Sequence, residues 1–134
     1  MFLQPKRSKY KKTKKGVLKK MTFKSHKLTF GNIGLKVLES GIISARQLES
    51  ARQSITRKIK RQGKLWIRIF PDLPVTAKPT EVRMGKGKGA VKHWGAKVAS
   101  GTVVFELCGV TDAIANIAFR TGGAKLPLKT QIFK

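Results

Sequence analysis

The sequence predicts an α+β fold: a two-layer α/β sandwich with a mostly antiparallel sheet, two helices on one of its faces, and an extended basic N-terminal arm. Three observations lead there. Two stretches, 44–62 and 111–120, carry apolar residues at three- and four-residue steps, the mark of amphipathic helices. Several others alternate apolar and polar residues between glycine and proline breaks, the mark of half-buried strands. The first 27 residues hold eleven Lys or Arg and no acid, and such a run buries too little apolar surface to fold by itself. The expected division is therefore an arm, 1–27, and a sandwich domain, 28–134.

After the arm, Leu28–Gly31 and Ile33–Val37 predict short strands with a bulge or corner, and Gly41 a turn. Ser44 opens the clearest helix. Gln47, three residues on, has the capping-box spacing, in which hydroxyl and amide satisfy free backbone N–H groups reciprocally. Leu48, Ala51, Ile55 and Ile59 form one apolar stripe, and Gly63 is placed to end the helix. Lys64–Phe70 predicts a strand, with Leu65, Ile67 and Ile69 pointing one way and Trp66, Arg68 and Phe70 the other. Pro71, Pro74 and Pro79 bracket a connector that cannot be a central strand. Glu81–Met84 resumes strand character, Val91–Ala99 pairs back, and Ser100-Gly101 turns into Thr102–Leu107. The second helix is expected from Thr111, as N-cap, to Arg120, with Gly122-Gly123 stopping it. A last short strand ends near Phe133.

The 134-residue chain has 40% hydrophobic residues, enough for one small core, against 30 Lys plus Arg and 6 Asp plus Glu, a net charge of +24. Self-repulsion at that density opposes the compact state unless a polyanion relieves it. Nucleic acid is the first such partner, since phosphates come at high density and each contact releases counterions. A membrane surface fits less well: no run approaches a spanning length, and no isolated basic amphipathic helix is flanked by Trp or Phe. The start of the chain has no apolar run of the secretory kind, so the protein is expected to be made where it works or already processed. Cys108, alone, forms no internal disulfide and suits a reducing compartment.

The most specific local feature is Arg83-Met84-Gly85-Lys86-Gly87-Lys88-Gly89. Alternating glycines permit positive φ and close backbone approach, and alternating lysines supply a cation at every second position, a combination suited to crowded phosphates. A nucleotide-binding P-loop is the rival, but Gly89 stands where Ser or Thr is required, and a strand rather than a helix follows. The helix 44–62 adds Arg46, Arg52, Arg57, Lys58, Lys60 and Arg61 against one acid, Glu49. That one-signed face points to RNA, with a merely solvated surface as the plain alternative. Enzyme signals are weak. His26 and His93 lack ligand spacing, and Asp72, Glu81, Glu106 and Asp112 are dispersed in sequence. A distant triad stays open in principle. No metal, no cofactor and no homo-oligomer is expected.

Several ordered motifs then resemble one family. Leu3-Gln4-Pro5-Lys6-Arg7, Ser44 to Arg52, Arg61 to Asp72, Lys78 to Gly89 and Ala124-Lys125-Leu126-Pro127-Leu128-Lys129-Thr130 are similar, in this order, to segments of the universal large-subunit ribosomal protein numbered sixteen in the bacterial scheme. The resemblance covers nearly the whole chain. It implies a two-layer sandwich on large-subunit rRNA, beside neighbouring large-subunit ribosomal proteins, with no membrane and no catalysis of its own. It also implies that Arg83, Met84, Gly85, Lys86, Gly87, Lys88 and Gly89 extend toward A-site tRNA, and that the protein joins the subunit late. The rRNA-binding residues expected are Lys6, Arg7, Lys9, Lys11 and Lys12 of the arm, Arg46, Arg52, Arg57, Lys60 and Arg61 of the helix, and Lys64, Lys125 and Lys129. Residues 16–27, Gly95-Ala96, the second helix and the C-terminal end depart from the bacterial pattern. With a Lys-, Ile- and Phe-rich composition, they suggest a mitochondrial member, with bacterial and plastid origins as alternatives.

Overall fold

A computed structural model describes residues 3–16 and 18–134; Met1, Phe2 and Val17 of the expected arm lie outside them. Nine elements follow one another: β1 (Ile33–Val37), β2 (Gly41–Ser44), α1 (Ala45–Lys58), β3 (Lys64–Ile67), β4 (Leu73–Ala77), β5 (Ala90–Val98), β6 (Val103–Cys108), α2 (Asp112–Gly123) and β7 (Thr130–Phe133). The α+β class is as expected, and every strand pair is antiparallel. The strands divide between two sheets, one of four in the order β3-β6-β1-β7 and one of three in the order β2-β5-β4.

α1 begins as its sequence requires. Ser44 is extended, its hydroxyl accepts the Gln47 N–H, and the Gln47 side chain accepts the Ser44 N–H at 2.9 Å. Leu48, Ala51, Ile55 and Ile59 are all buried. Burying each Leu or Ile contributes roughly 1.5–3 kcal/mol, so the stripe, not helix propensity, holds α1 down. α1 lies against β2 and β5, α2 against β1 and β7, and the helices pack on each other, so one core runs beneath both sheets.

Five local expectations change. Gly41, expected to mark a turn, opens β2 and pairs with Val98. Gly122 and Gly123 do not stop α2; they are its last residues and are buried. A Cβ on Gly122 would stand 2.5 Å from Ile55 Cγ1, so glycine is there to let the two helices approach. Thr111 is the N-cap by backbone but makes no capping hydrogen bond with its side chain. No strand forms at 28–31, which is drawn aside by Glu106. The strand expected at Glu81–Met84 is replaced by β4. Pro74, lacking an N–H, is tolerated there because β4 is an edge strand, and the hairpin closes at Ala77 opposite Ala90.

The Ser100-Gly101 turn does more than reverse the chain. It carries the backbone from β5 in one sheet to β6 in the other, with Gly101 at φ +86° and its N–H bonded to the Val37 carbonyl at 2.7 Å.

Candidate nucleic-acid interface

The C-terminal end of α1 forms a shallow basic groove of about 470 Å³, lined by Arg52, Gln53, Thr56, Arg57, Lys60 and Arg61. Its shape depends on an unusual chain reversal. Lys60 and Arg61 have φ of +50° and +63°, left-handed values that cost a non-glycine residue about 1–2 kcal/mol each, and Gly63 follows at +69°. The reversal brings two further cations back beside Arg57, at the negative end of the helix dipole. Arg52 contributes less charge than the sequence suggests. Its guanidinium grips Glu49 through two hydrogen bonds of 2.9 and 2.7 Å, which hold the Glu49 carboxyl below its usual range and raise the arginine. Arg57, Lys60 and Arg61 remain as the open cations.

Arg46 sits at the opposite end of the same helix, about 16 Å along the axis from Arg57 at 1.5 Å per residue. It lines a separate cleft with Lys92 and His93. The basic face expected along α1 is therefore two patches. Lys64, Lys125 and Lys129 join neither: Lys64 lies over the Trp66 ring, Lys125 is exposed after α2, and Lys129 faces Glu39 at 3.3 Å.

The glycine-rich segment is the tip of the β4–β5 hairpin. Arg83, Met84, Gly85, Lys86, Gly87 and Lys88 are all exposed, Met84 completely, and Gly89 half-exposed. Gly85, Lys86 and Gly87 take positive φ in succession, +97°, +53° and +77°. Nothing lies within 4 Å of where a Cβ would stand on Gly85 or Gly87, so those glycines serve backbone conformation. Gly89 serves proximity instead, its α-carbon lying against the Ala77 carbonyl. The ammonium of Lys78 donates to the Gly85 carbonyl across the loop. In the arm, Lys6, Arg7, Lys9, Lys11 and Lys12 are exposed, and the arm touches the loop: Lys12 Nζ donates to the Lys88 carbonyl at 2.7 Å, and Lys88 Nζ to the Thr13 carbonyl.

The root of the arm is clasped by a buried acid. Glu106 is fully buried beneath residues 29–31 and accepts the N–H groups of Thr29, Phe30 and Gly31, the closest at 2.6 Å, together with the Arg68 guanidinium. Burial pushes its carboxyl up, but these donors outweigh it and hold the group below the ordinary glutamate range. Phe30 completes the clasp, stacked on Trp66 with ring centres 5.9 Å apart and under the Arg68 guanidinium.

Sequence reasoning missed Lys92, His93 and Trp94 as a surface, which the fold gathers near Arg46. Their signal was faint: β5 has nine residues and β2 only four, so one end of β5 must overhang.

The family model described as ribosomal protein L16p/L10e matches residues 5–133. The large ribosomal subunit protein uL16 of Hyphomonas neptunium is 54% identical over 133 residues, 99% of this chain and 96% of that protein. The protein of the same name from Bartonella bacilliformis is 55% identical over 133 residues, 99% of this chain and 97% of its own. With the motifs matched in order along nearly the whole of both chains, this protein belongs to the ribosomal protein L16p/L10e family.

Proposed function

We propose that this chain, a structural and non-enzymatic constituent of the large ribosomal subunit, binds large-subunit rRNA with its arm and with the basic end of α1. In this reading it holds the 83–89 loop toward aminoacyl-tRNA near the peptidyl-transferase centre. The observation that carries the reading is the uncompensated charge. Among the described residues only four cations, Arg52, Arg68, Lys129 and Lys134, meet an acid, out of 30 Lys and Arg. Among the described residues no helix is long and apolar enough to cross a membrane.

The parts have distinct tasks. Residues 1–27 act as an arm that threads between rRNA helices, while 28–134 act as the rigid domain that aims it. Arg57, Lys60 and Arg61 clamp a phosphate backbone. Recognition is by shape and backbone, because A-form grooves hide base edges from side chains. Lys86 and Lys88 stand on the exposed tip of the hairpin, where they reach past the domain toward tRNA. Neighbouring large-subunit proteins complete the environment, and the chain joins the particle late. For compartment we infer a mitochondrial ribosome, supported by the Lys-, Ile- and Phe-rich composition; the relatives named above are bacterial.

Sedimentation on a sucrose gradient tests this. The chain is expected to travel with the large subunit and to stay through a high-salt wash. Release into the free pool at modest salt would mean peripheral electrostatic binding and overturn the reading. The organelle or cell fraction that carries the complex decides the compartment. Lys86→Ala with Lys88→Ala is expected to slow tRNA accommodation more than it weakens subunit association. Normal translation rates in that variant would reduce the loop to scaffolding.

A further inference from the structure

Only residues 95–98 of β5 pair with β2, whereas β4 covers the other side from Ala90 to Gly95. Between Val91 and Trp94, then, no strand lies on the β2 side, because β2 has already turned into α1. Three adjoining depressions occupy that gap and share His93. The largest, about 450 Å³, is lined by Leu3, Gln4, Ala45, Arg46, Glu49 and the strand residues Val91 to Trp94. The second holds Ser44, Arg46 and Lys92, and the third reaches Lys15, Ile42, Gln47 and Val75. The third lies on the other face of the sheet, beside Ile42 and Val75; the first two share Arg46 and Lys92 and form one groove with an aromatic residue at one end and cations along it. Its only acid, Glu49, is already spent on Arg52.

We propose that this groove seats an extruded nucleotide of single-stranded RNA, its base against Trp94 and its flanking phosphates on Arg46 and Lys92. The proposal rests on the rRNA-binding reading above and deepens it, giving a base-stacking site to a surface otherwise argued only from charge. Three observations favour RNA. The cavity falls within the roughly 300–1,000 Å³ typical of small-ligand sites. Aromatic stacking beside cations is how proteins hold unpaired bases. And Arg46 and Lys92, both exposed, make no ion pair among the described residues. By alternation with Ala96 and Val98, Trp94 faces the α1 side of its sheet, while His93 faces the other side with Lys97. The base therefore stacks on one aromatic face, and His93 lines the path of the backbone.

The fluorescence of Trp94 tests this in the full chain. Trp66 lies in the clasp over Glu106 and is silenced by Trp66→Phe, leaving Trp94 as sole reporter. A single-stranded hexa-adenylate is expected to quench it, while inorganic phosphate and a hexaglutamate peptide are not. Trp94→Ala, read by the anisotropy of a dye-labelled hexamer because the reporter is gone, is expected to weaken hexamer binding about 5- to 150-fold, the range for one lost base stack. Because that variant can also disturb folding, Arg46→Ala with Lys92→Ala serves as the second arm. It keeps the reporter and is expected to flatten the salt dependence of quenching by about 1.4 in log–log slope, two single-strand phosphate contacts. No quenching by the hexamer, or an unchanged slope in the double variant, would overturn the proposal. Equal quenching by hexaglutamate would overturn it in favour of a protein-binding groove. A chain that fails here yet sediments with the large subunit loses only this groove; one that fails both loses the rRNA reading as well.

Discussion

Replacing Glu106 by glutamine should release the root of the arm. The carboxylate accepts three backbone N–H groups and the Arg68 guanidinium. An amide of the same size turns two of its own hydrogens toward donors and leaves Arg68 without its counter-charge. Removing one partner of a buried ion pair costs roughly 3–5 kcal/mol. The Arg68 side chain keeps 18% of its exposure, so the lower end applies, about 3 kcal/mol. At about 2.1 cal/mol/K per residue this lowers the melting temperature by about 10 °C. The pH dependence has a definite sign. The folded carboxyl titrates below its ordinary 4.5, so its stabilisation is complete above that value and is lost as pH falls through the lowered folded value. Thermal unfolding of wild type and Glu106→Gln should therefore differ most near neutrality and converge in acid. Hydrogen exchange should speed up at the amides of Thr29, Phe30 and Gly31. A melting temperature within about 2 °C of wild type near neutrality, or a deficit that persists undiminished in acid, would refute the argument.

Three further outcomes follow from the geometry. Ser44→Ala should cost about 1 kcal/mol in denaturant unfolding, the usual worth of an N-cap, because the hydroxyl that accepts the Gln47 N–H is lost while the backbone N–H of residue 44 keeps its bond to the Gln47 side chain. Gly89→Ala should destabilise the β4–β5 hairpin, since its Cβ would collide with the Ala77 carbonyl, whereas Gly85→Ala meets no atom and should cost only about 1 kcal/mol for its positive φ, altering the exposed loop alone, read by hydrogen exchange. Arg61→Gly should stabilise the free protein by about 1 kcal/mol through relief of its left-handed backbone, while flattening the salt dependence of duplex-RNA binding by about 0.9 per lost phosphate contact.

Much of the local structure was legible because it is governed by short-range chemistry. The Ser44–Gln47 box and the stripe Leu48, Ala51, Ile55, Ile59 lie within one helix, so spacing alone specifies them. The loop 83–89 was legible for a similar reason: Gly85 and Gly87 do take positive φ. What escaped depended on contacts between distant residues. Glu106 looked like one of several scattered acids, because residues 29–31, which it binds, are far away in sequence. Gly122 looked like a terminator because Ile55, the neighbour it makes room for, belongs to another helix. β4 was hidden by Pro74, which disqualifies a central strand but not an edge. Trp94, His93 and Lys92 met Arg46 only through the unequal lengths of β2 and β5, a property of pairing that no window along the chain contains.

The pairing of β1 with β7 sets the order in which the molecule can be built. Gly34 meets Phe133 and Val37 meets Thr130, so an early strand takes one of its two neighbours from the far end of the described chain. During synthesis β1 must wait, with that edge open, until the ribosome has made residues 130–133. Contacts so far apart in sequence also slow folding, because most of the chain must be closed into a loop before the pairing gives any return. The four-stranded sheet is therefore assembled late, after elongation has passed Phe133, and until then a highly cationic nascent chain stays open to capture by whatever polyanion is nearest.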